Sequence, residues 1–203
     1  MYHGVYEGAA AAAQPRKMLI LGESHHDTDL STQEVVEDYL KRDHIRFFRE
    51  IACSFGIDAG KDKGKERALL WDKVFFGNYV DVSLDGPSGE GDKTAGRLIA
   101  ANRDRYNRDL AEFLRARGIG TVFCFSFRVF DKGLPAAPAS FEDVVKEVNG
   151  HRINPWCGRA YGPDSLFGQR VEVYGIPHPR SWIGFGAEDI AEYLKPVFAR
   201  CCG

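Results

Sequence analysis

The sequence predicts an α/β protein: three layers, with a short, mainly parallel sheet of four strands held between helices. Three observations carry that expectation. Four short apolar runs, 18–22, 74–80, 121–125 and 171–176, punctuate the 203-residue chain. Segments with helical apolar spacing alternate with them, the signature of strand–helix units. The third run, Thr121-Val122-Phe123-Cys124-Phe125, is almost continuously apolar, as expected of a strand buried on both faces of a parallel sheet.

Each element follows from its residues. Residues 1–16 read as a flexible arm before a single domain at 17–203. Ala9 to Ala13 is too short and too weakly apolar for the core of a signal peptide, and no positive charge precedes it. After the first strand, Val35, Val36, Tyr39, Leu40, Ile45, Phe48, Ile51 and Phe55 fit one helix over 32–55, with Thr28, Asp29, Ser31 and Thr32 as capping choices. The glycine-, aspartate- and lysine-rich stretch Gly56 to Lys65 is a solvated loop. Aromatic and β-branched residues at 74–80 make the second strand, and Gly86-Pro87-Ser88-Gly89 the loop beyond it. A long helix over 94–117 turns Leu98, Ile99, Tyr106, Leu110, Phe113 and Leu114 inward and ends at Gly118. Its arginines are interspersed with Asp104, Asp109 and Glu112, which reads as a solvated face rather than a DNA track. Phe127 to Phe130 begins another helix. The stretch 134–166 is less regular, with one helix at 141–148 and a loop through Trp156, Cys157 and Tyr161. A last helix over 188–199 is interrupted at Pro196.

Composition bounds the function. With 44% hydrophobic residues the chain can build one sizeable core, and a net charge of -2 gives no global basic field, so contact with nucleic acid must rest on a local patch. The five cysteines are odd in number and lack zinc or iron–sulfur spacing, which points to a reducing, cytoplasmic setting. Cys124 reads as a core residue, and Cys201 and Cys202 as incidental thiols at a frayed end. No stretch reaches the roughly 20 apolar residues that cross a bilayer, so a membrane is not expected as a partner.

Two polar segments stand where strands run out: Gly22-Glu23-Ser24-His25-His26 after the first, and His178-Pro179-Arg180-Ser181 after the fourth. In open α/β sheets ligands bind beyond the carboxyl ends of the strands, so the two segments are expected to face one cleft. Between them come Val74-Phe75-Phe76-Gly77-Asn78, with asparagine at a strand end, and the run from Val122 to Phe130. Taken in order, these four segments resemble the uracil-DNA glycosylase superfamily, with residues 17–198 as the span of the likeness.

That resemblance implies hydrolysis of the N-glycosidic bond of a damaged or deaminated base in DNA, without cofactor or metal. Asn78, which carries both a donor and an acceptor, is expected to read the base edge. His178, stiffened by Pro177 and Pro179, is expected to stabilise the leaving base. Gly22 opens the first loop. Ser24 stands where many relatives have a water-positioning aspartate, so Glu23, with Ser24 or His25, is expected to handle water. His26 is a second candidate for contact with ligand, and a phenylalanine of the Phe47-Phe48 or Phe75-Phe76 pairs for the pocket floor. Arg180 replaces a small serine and suits a phosphate, and Ser181 offers a backbone contact. Two alternatives belong to other classes. One is a binding module of the same fold that recognises a nucleobase or nucleic acid without turnover. The other is an esterase-like or haem- or metal-binding protein using Glu23, His25 and His26.

Overall fold

A computed structural model describes residues 4–26, 30–42, 44–59, 64–80, 82–84, 90–148, 151–182 and 184–203. The side chains of 25, 26, 83, 90–92, 141–148 and 151–156 lie outside that description, as do Thr28 and Asp29, suggested above as caps.

Among the described residues the strands and α-helices are β1 (Tyr6–Glu7), β2 (Lys17–Gly22), β3 (His25–His26), α1 (Thr32–Arg42), α2 (Arg46–Ser54), α3 (Gly64–Trp71), β4 (Phe75–Asn78), β5 (Ser83–Leu84), α4 (Glu90–Arg117), β6 (Ile119–Cys124), β7 (Ala139–Val148), β8 (His151–Tyr161), β9 (Val171–Gly175) and α5 (Ala187–Cys202). The α/β class stands, but the sheet is larger than the expected four strands. Seven strands run in the order β1-β4-β2-β6-β9-β8-β7. The central β4, β2, β6 and β9 are mutually parallel, whereas β1 at one edge and the β8–β7 hairpin at the other are antiparallel.

Burial follows the period-two alternation of a strand. Met18 and Ile20 of β2, Phe76, Phe123, Tyr174 and Ile176 face a core closed by α1, α2, α3 and α5. Leu19, Leu21, Phe75, Val122, Cys124 and Val173 face a second core under α4. The central strands are therefore apolar on both sides, as a covered parallel sheet requires.

Three expectations change. Residues 141–148 are strand β7, not helix. Phe141, Val144, Val145 and Val148 fall at i, i+3, i+4 and i+7, but they are aromatic and β-branched, and pairing through β8 onto β9 decides the outcome. The single helix over 32–55 is two, broken before Arg46, with Ile45 extended at φ -106 and ψ 100. The break lets Phe48 of α2 meet Phe76 and Trp71 while Tyr39 of α1 packs on the same Phe48 and Trp71 rings, so both helices close one core. Helix α5 runs through Pro196 to Cys202, because Val197 and Cys201 beyond it are buried. Cys201 is thus a core thiol and not part of a frayed end.

The stretch expected to be a loose arm also contributes structure. Tyr6 and Glu7 pair with Phe76 and Phe75, and Ala11 is fully buried. At the start of α1, Ser31 proves to be the cap among the four choices: its hydroxyl accepts the Glu34 N–H while Glu34 accepts the Ser31 N–H, a reciprocal capping box.

Candidate functional site at the carboxyl edge

The chain leaves β2 for β4 on one side and returns to β6 on the other, so the loops after β2 and β6 part at the carboxyl edge. Such a switch point opens a crevice in α/β sheets. Main-chain bonds fix its walls: Tyr79 N donates to Gly22 O at 3.0 Å, Val80 N to Glu23 O at 2.8 Å, Phe125 N to Leu21 O at 2.9 Å and Ile176 N to Cys124 O at 2.8 Å.

One group of expected residues lies on the α2 side of this edge. Gly22 pairs with Asn78 across β2 and β4, and the Asn78 carboxamide lies over the Gly22 Cα so closely that a Cβ there would sit 2.3 Å from Oδ1. The same point is 3.5 Å from the tip of the Phe76 ring. Phe76 meets Phe47 edge to face at 6.4 Å, and Phe47 stacks on His178 at 5.0 Å with planes 19° apart. A continuous series of contacts, Asn78–Gly22–Phe76–Phe47–His178, therefore joins Gly22 to His178, 156 positions away in sequence.

The loop carrying His178 is built to hold the ring still. Its Nδ1 accepts the Arg180 N–H at 3.2 Å, so in the neutral imidazole the proton sits on Nε2. Pro179 and Arg180 form a turn in which Ser181 N donates to His178 O at 2.7 Å, and Trp182 Nε1 donates to Pro177 O at 3.0 Å. The Arg180 and Ser181 side chains are exposed.

Glu23 points to the other side of the sheet. Its carboxylate accepts the Ser126 hydroxyl at 2.6 Å on Oε2 and the Arg128 guanidinium at 2.8 Å on Oε1. The carboxylate is 14% exposed, and Ser126 is buried at 2%. The Arg128 stem lies against Gly96 of α4. Ser24 is half-buried beside Glu23. His25 and His26 form β3, paired in parallel with Ser83 and Leu84 of β5, and their side chains lie outside the description.

After Arg128 the chain makes a wide π-helical turn, Val129–Gly133, a form that recurs at functional sites. Its end is tied down by three donors on one oxygen: Tyr79 OH at 2.9 Å, Asn107 Nδ2 at 3.0 Å and Arg103 Nε at 3.0 Å all reach Gly133 O. Arg103 also donates to Leu134 O, and Arg115 to Leu166 O and Phe167 O. Arg103 and Arg115 thus stay exposed, as a solvated face requires, while spending donors on carbonyls of the fold itself.

Ser126 and Arg128 carried no assigned role in the sequence, and Phe47 was only one of four phenylalanines considered for a pocket floor. A signal existed for each. Adjacent Phe47 and Phe48 point about 100° apart on one helix, so the two cannot both sit at the centre of its core face, and one is left at the margin. Ser126 and Arg128 follow a buried strand directly, where polar residues need a reason.

At the opposite, amino-terminal edge, a cleft of about 630 Å³ is lined by Arg16, Tyr174, Tyr193, Val197 and Arg200 among others. Glu172 there bridges Arg170 and Arg200. None of the expected site residues reaches it. Among the described residues, no three His, Cys, Asp or Glu side chains gather as a metal would need, and no helix is long and apolar enough to cross a membrane. Compared with known proteins, the chain matches no family model and no curated sequence.

Proposed function

We propose that the protein hydrolyses the N-glycosidic bond of a damaged or deaminated base in DNA, in the manner of the uracil-DNA glycosylases that its four segments resemble. The observation that supports this reading is the contact series that links Asn78 to His178 through the Phe76 and Phe47 rings at the carboxyl edge of the sheet. Asn78 offers an amide to a base edge, Phe47, backed by the buried Phe76, offers an apolar wall, and the Nε2–H of His178 offers a donor to the departing base.

In the reaction the C1′–N bond breaks and its electron pair leaves with the base, whose developing charge His178 stabilises. A water oxygen bonds to C1′, and its proton passes to the Glu23 carboxylate or the His25 imidazole, with the Ser24 hydroxyl helping to orient the water. The Arg180 side chain, exposed beside the turn, suits a flanking phosphate, and Ser181 the same strand through its backbone. Positioned dipoles suffice for this chemistry.

The test is a cleavage assay on oligonucleotides bearing uracil, hypoxanthine or xanthine. Wild-type protein is expected to leave alkali-labile abasic sites on at least one, and His178→Ala to lose roughly 10²-fold or more in rate at unchanged melting temperature. Unchanged rate in the variant would remove His178 from the mechanism.

A second reading, a nucleobase-binding module without turnover, is favoured by one observation: both Glu23 oxygens already accept protein donors. It predicts no abasic product while a free nucleobase still raises the melting temperature.

A further inference from the structure

The site residues divide across the sheet, and the division is the basis of one more inference, which rests on the hydrolytic reading above. Asn78, Phe47 and His178 lie on the α2 side. Glu23 turns to the α4 side, where Ser126 and Arg128 hold one carboxylate oxygen each. We infer that Ser126 and Arg128 are positioning residues which aim Glu23 at the attacking water, so that base recognition and water handling occupy opposite faces of the β2 strand end.

The brace is stiff at every joint. Ser126 donates to Glu23 while its hydroxyl accepts the Val129 N–H at 3.2 Å, and its carbonyl accepts Phe130 N at 2.9 Å and the Cys124 thiol at 3.4 Å. A hydroxyl that accepts from the backbone has its own proton directed to the one remaining acceptor, here Glu23. Arg128 leaves the same turn two residues later and closes on the second oxygen as a charge-assisted bond. The far end of the turn is locked at Gly133 by Tyr79, the residue that follows Asn78. The two halves of the site thus share one rigid mount while touching ligand from different sides.

The arrangement also explains why two donors are used. A glutamate has three side-chain torsions, and one donor would leave the carboxylate free to swing; two donors on two oxygens fix both its place and its plane. If Glu23 moves, the base remains bound by Asn78 and His178, but water is no longer aimed at C1′. Loss of the brace therefore appears in kcat and not in KM.

The experiment compares wild type, Ser126→Ala, Arg128→Gln and Arg128→Lys on the oligonucleotide that wild type cleaves, with melting temperature recorded for each. Ser126→Ala and Arg128→Gln are expected to lower kcat by about 10-fold or more with KM within about threefold, while Arg128→Lys, which keeps a cationic donor, recovers most of the loss. Unchanged kcat in both loss variants, equal loss in Lys and Gln at Arg128, or a loss carried by KM would overturn the inference and leave the glycosylase reading standing. Should Arg128→Gln fail to fold, Ser126→Ala, which removes one hydroxyl, decides alone. Absence of any turnover by wild type would defeat the functional reading itself, and with it the inference.

Discussion

Replacing Gly22 with alanine tests the site most sharply, because the perturbation is a single methyl group aimed at one side chain. The new Cβ would lie 2.3 Å from Asn78 Oδ1, whereas real Cβ contacts essentially never fall under 3.0 Å, so the carboxamide must retreat by at least about 0.7 Å. The next neighbours, the Asn78 Cγ and the Phe76 ring tip, are both at 3.5 Å, an ordinary contact, so the core need not move. Stability should fall only by about 1 kcal/mol, the low end for an added methyl, which is about 2–4 °C in melting temperature for a chain of this size. Activity should suffer more. A displacement near 1 Å costs about 10²-fold when the moved group orients the reactant, equivalent to about 2.7 kcal/mol of barrier. Single-turnover cleavage of the preferred oligonucleotide measures the rate, and calorimetry the fold. The double variant Gly22→Ala/Asn78→Ala should be no slower than Asn78→Ala alone, since both act through the same carboxamide. Wild-type rate in Gly22→Ala, or additive losses in the double variant, would refute the claim that Asn78 works from its perch over Gly22.

Three further outcomes follow from the packing. Gly175→Ala would bring a Cβ to 2.5 Å from the Phe130 ring in the sheet interior, where the ring cannot swing away, and should cost about 1–3 kcal/mol, read from the guanidinium midpoint. Tyr79→Phe removes a hydroxyl bonded to Asn107 and Gly133 and should lower stability by about 0.5–1.5 kcal/mol; no change would show that Asn107 and Arg103 satisfy Gly133 unaided. Stability should also fall at high pH. Burial pushes the Cys124 thiol from 9.0 up to about 12. Burial, with Glu172 adding to it, raises Tyr174 from 10.0 to about 12, and burial with Asp72 and Glu37 does the same for Tyr6. The folded protein keeps protons that the unfolded chain releases, so this stability is whole below about pH 9 and drains away between about 9 and 12. A urea midpoint that stays level from about pH 8 to about pH 11 would contradict the burial of these groups.

The parallel heart of the sheet was legible in the sequence because its strands are buried on both faces. Met18 to Leu21 and Val122 to Cys124 have no polar residue to place, and no other element tolerates such short, continuous apolar runs between helices. The edges were not legible. Tyr6 and Glu7 are too few to show a period, and Phe141 to Val148 carries apolar spacing that fits a helix as well as it fits a bulged strand. Pairing with β8, itself anchored on β9 from Cys157 to Tyr161, resolves that ambiguity. Beyond that anchored part the β7–β8 hairpin continues past the carboxyl end of β9 through residues 151–156, roughly 20 Å at about 3.4 Å per residue.

The sequence by itself settled the fold class, the central strands and the nomination of Gly22, Glu23, Asn78 and His178, because local composition at strand ends is enough to mark polar groups that need a purpose. Only the tertiary structure decided which of them share a side. Strand alternation sends Asn78 toward α2, and partners distant in sequence, Phe47 for His178, and Ser126 and Arg128 for Glu23, determine where each side chain comes to rest. Contacts between residues a hundred positions apart depend on how strands are ordered in the sheet, and no local pattern encodes that order.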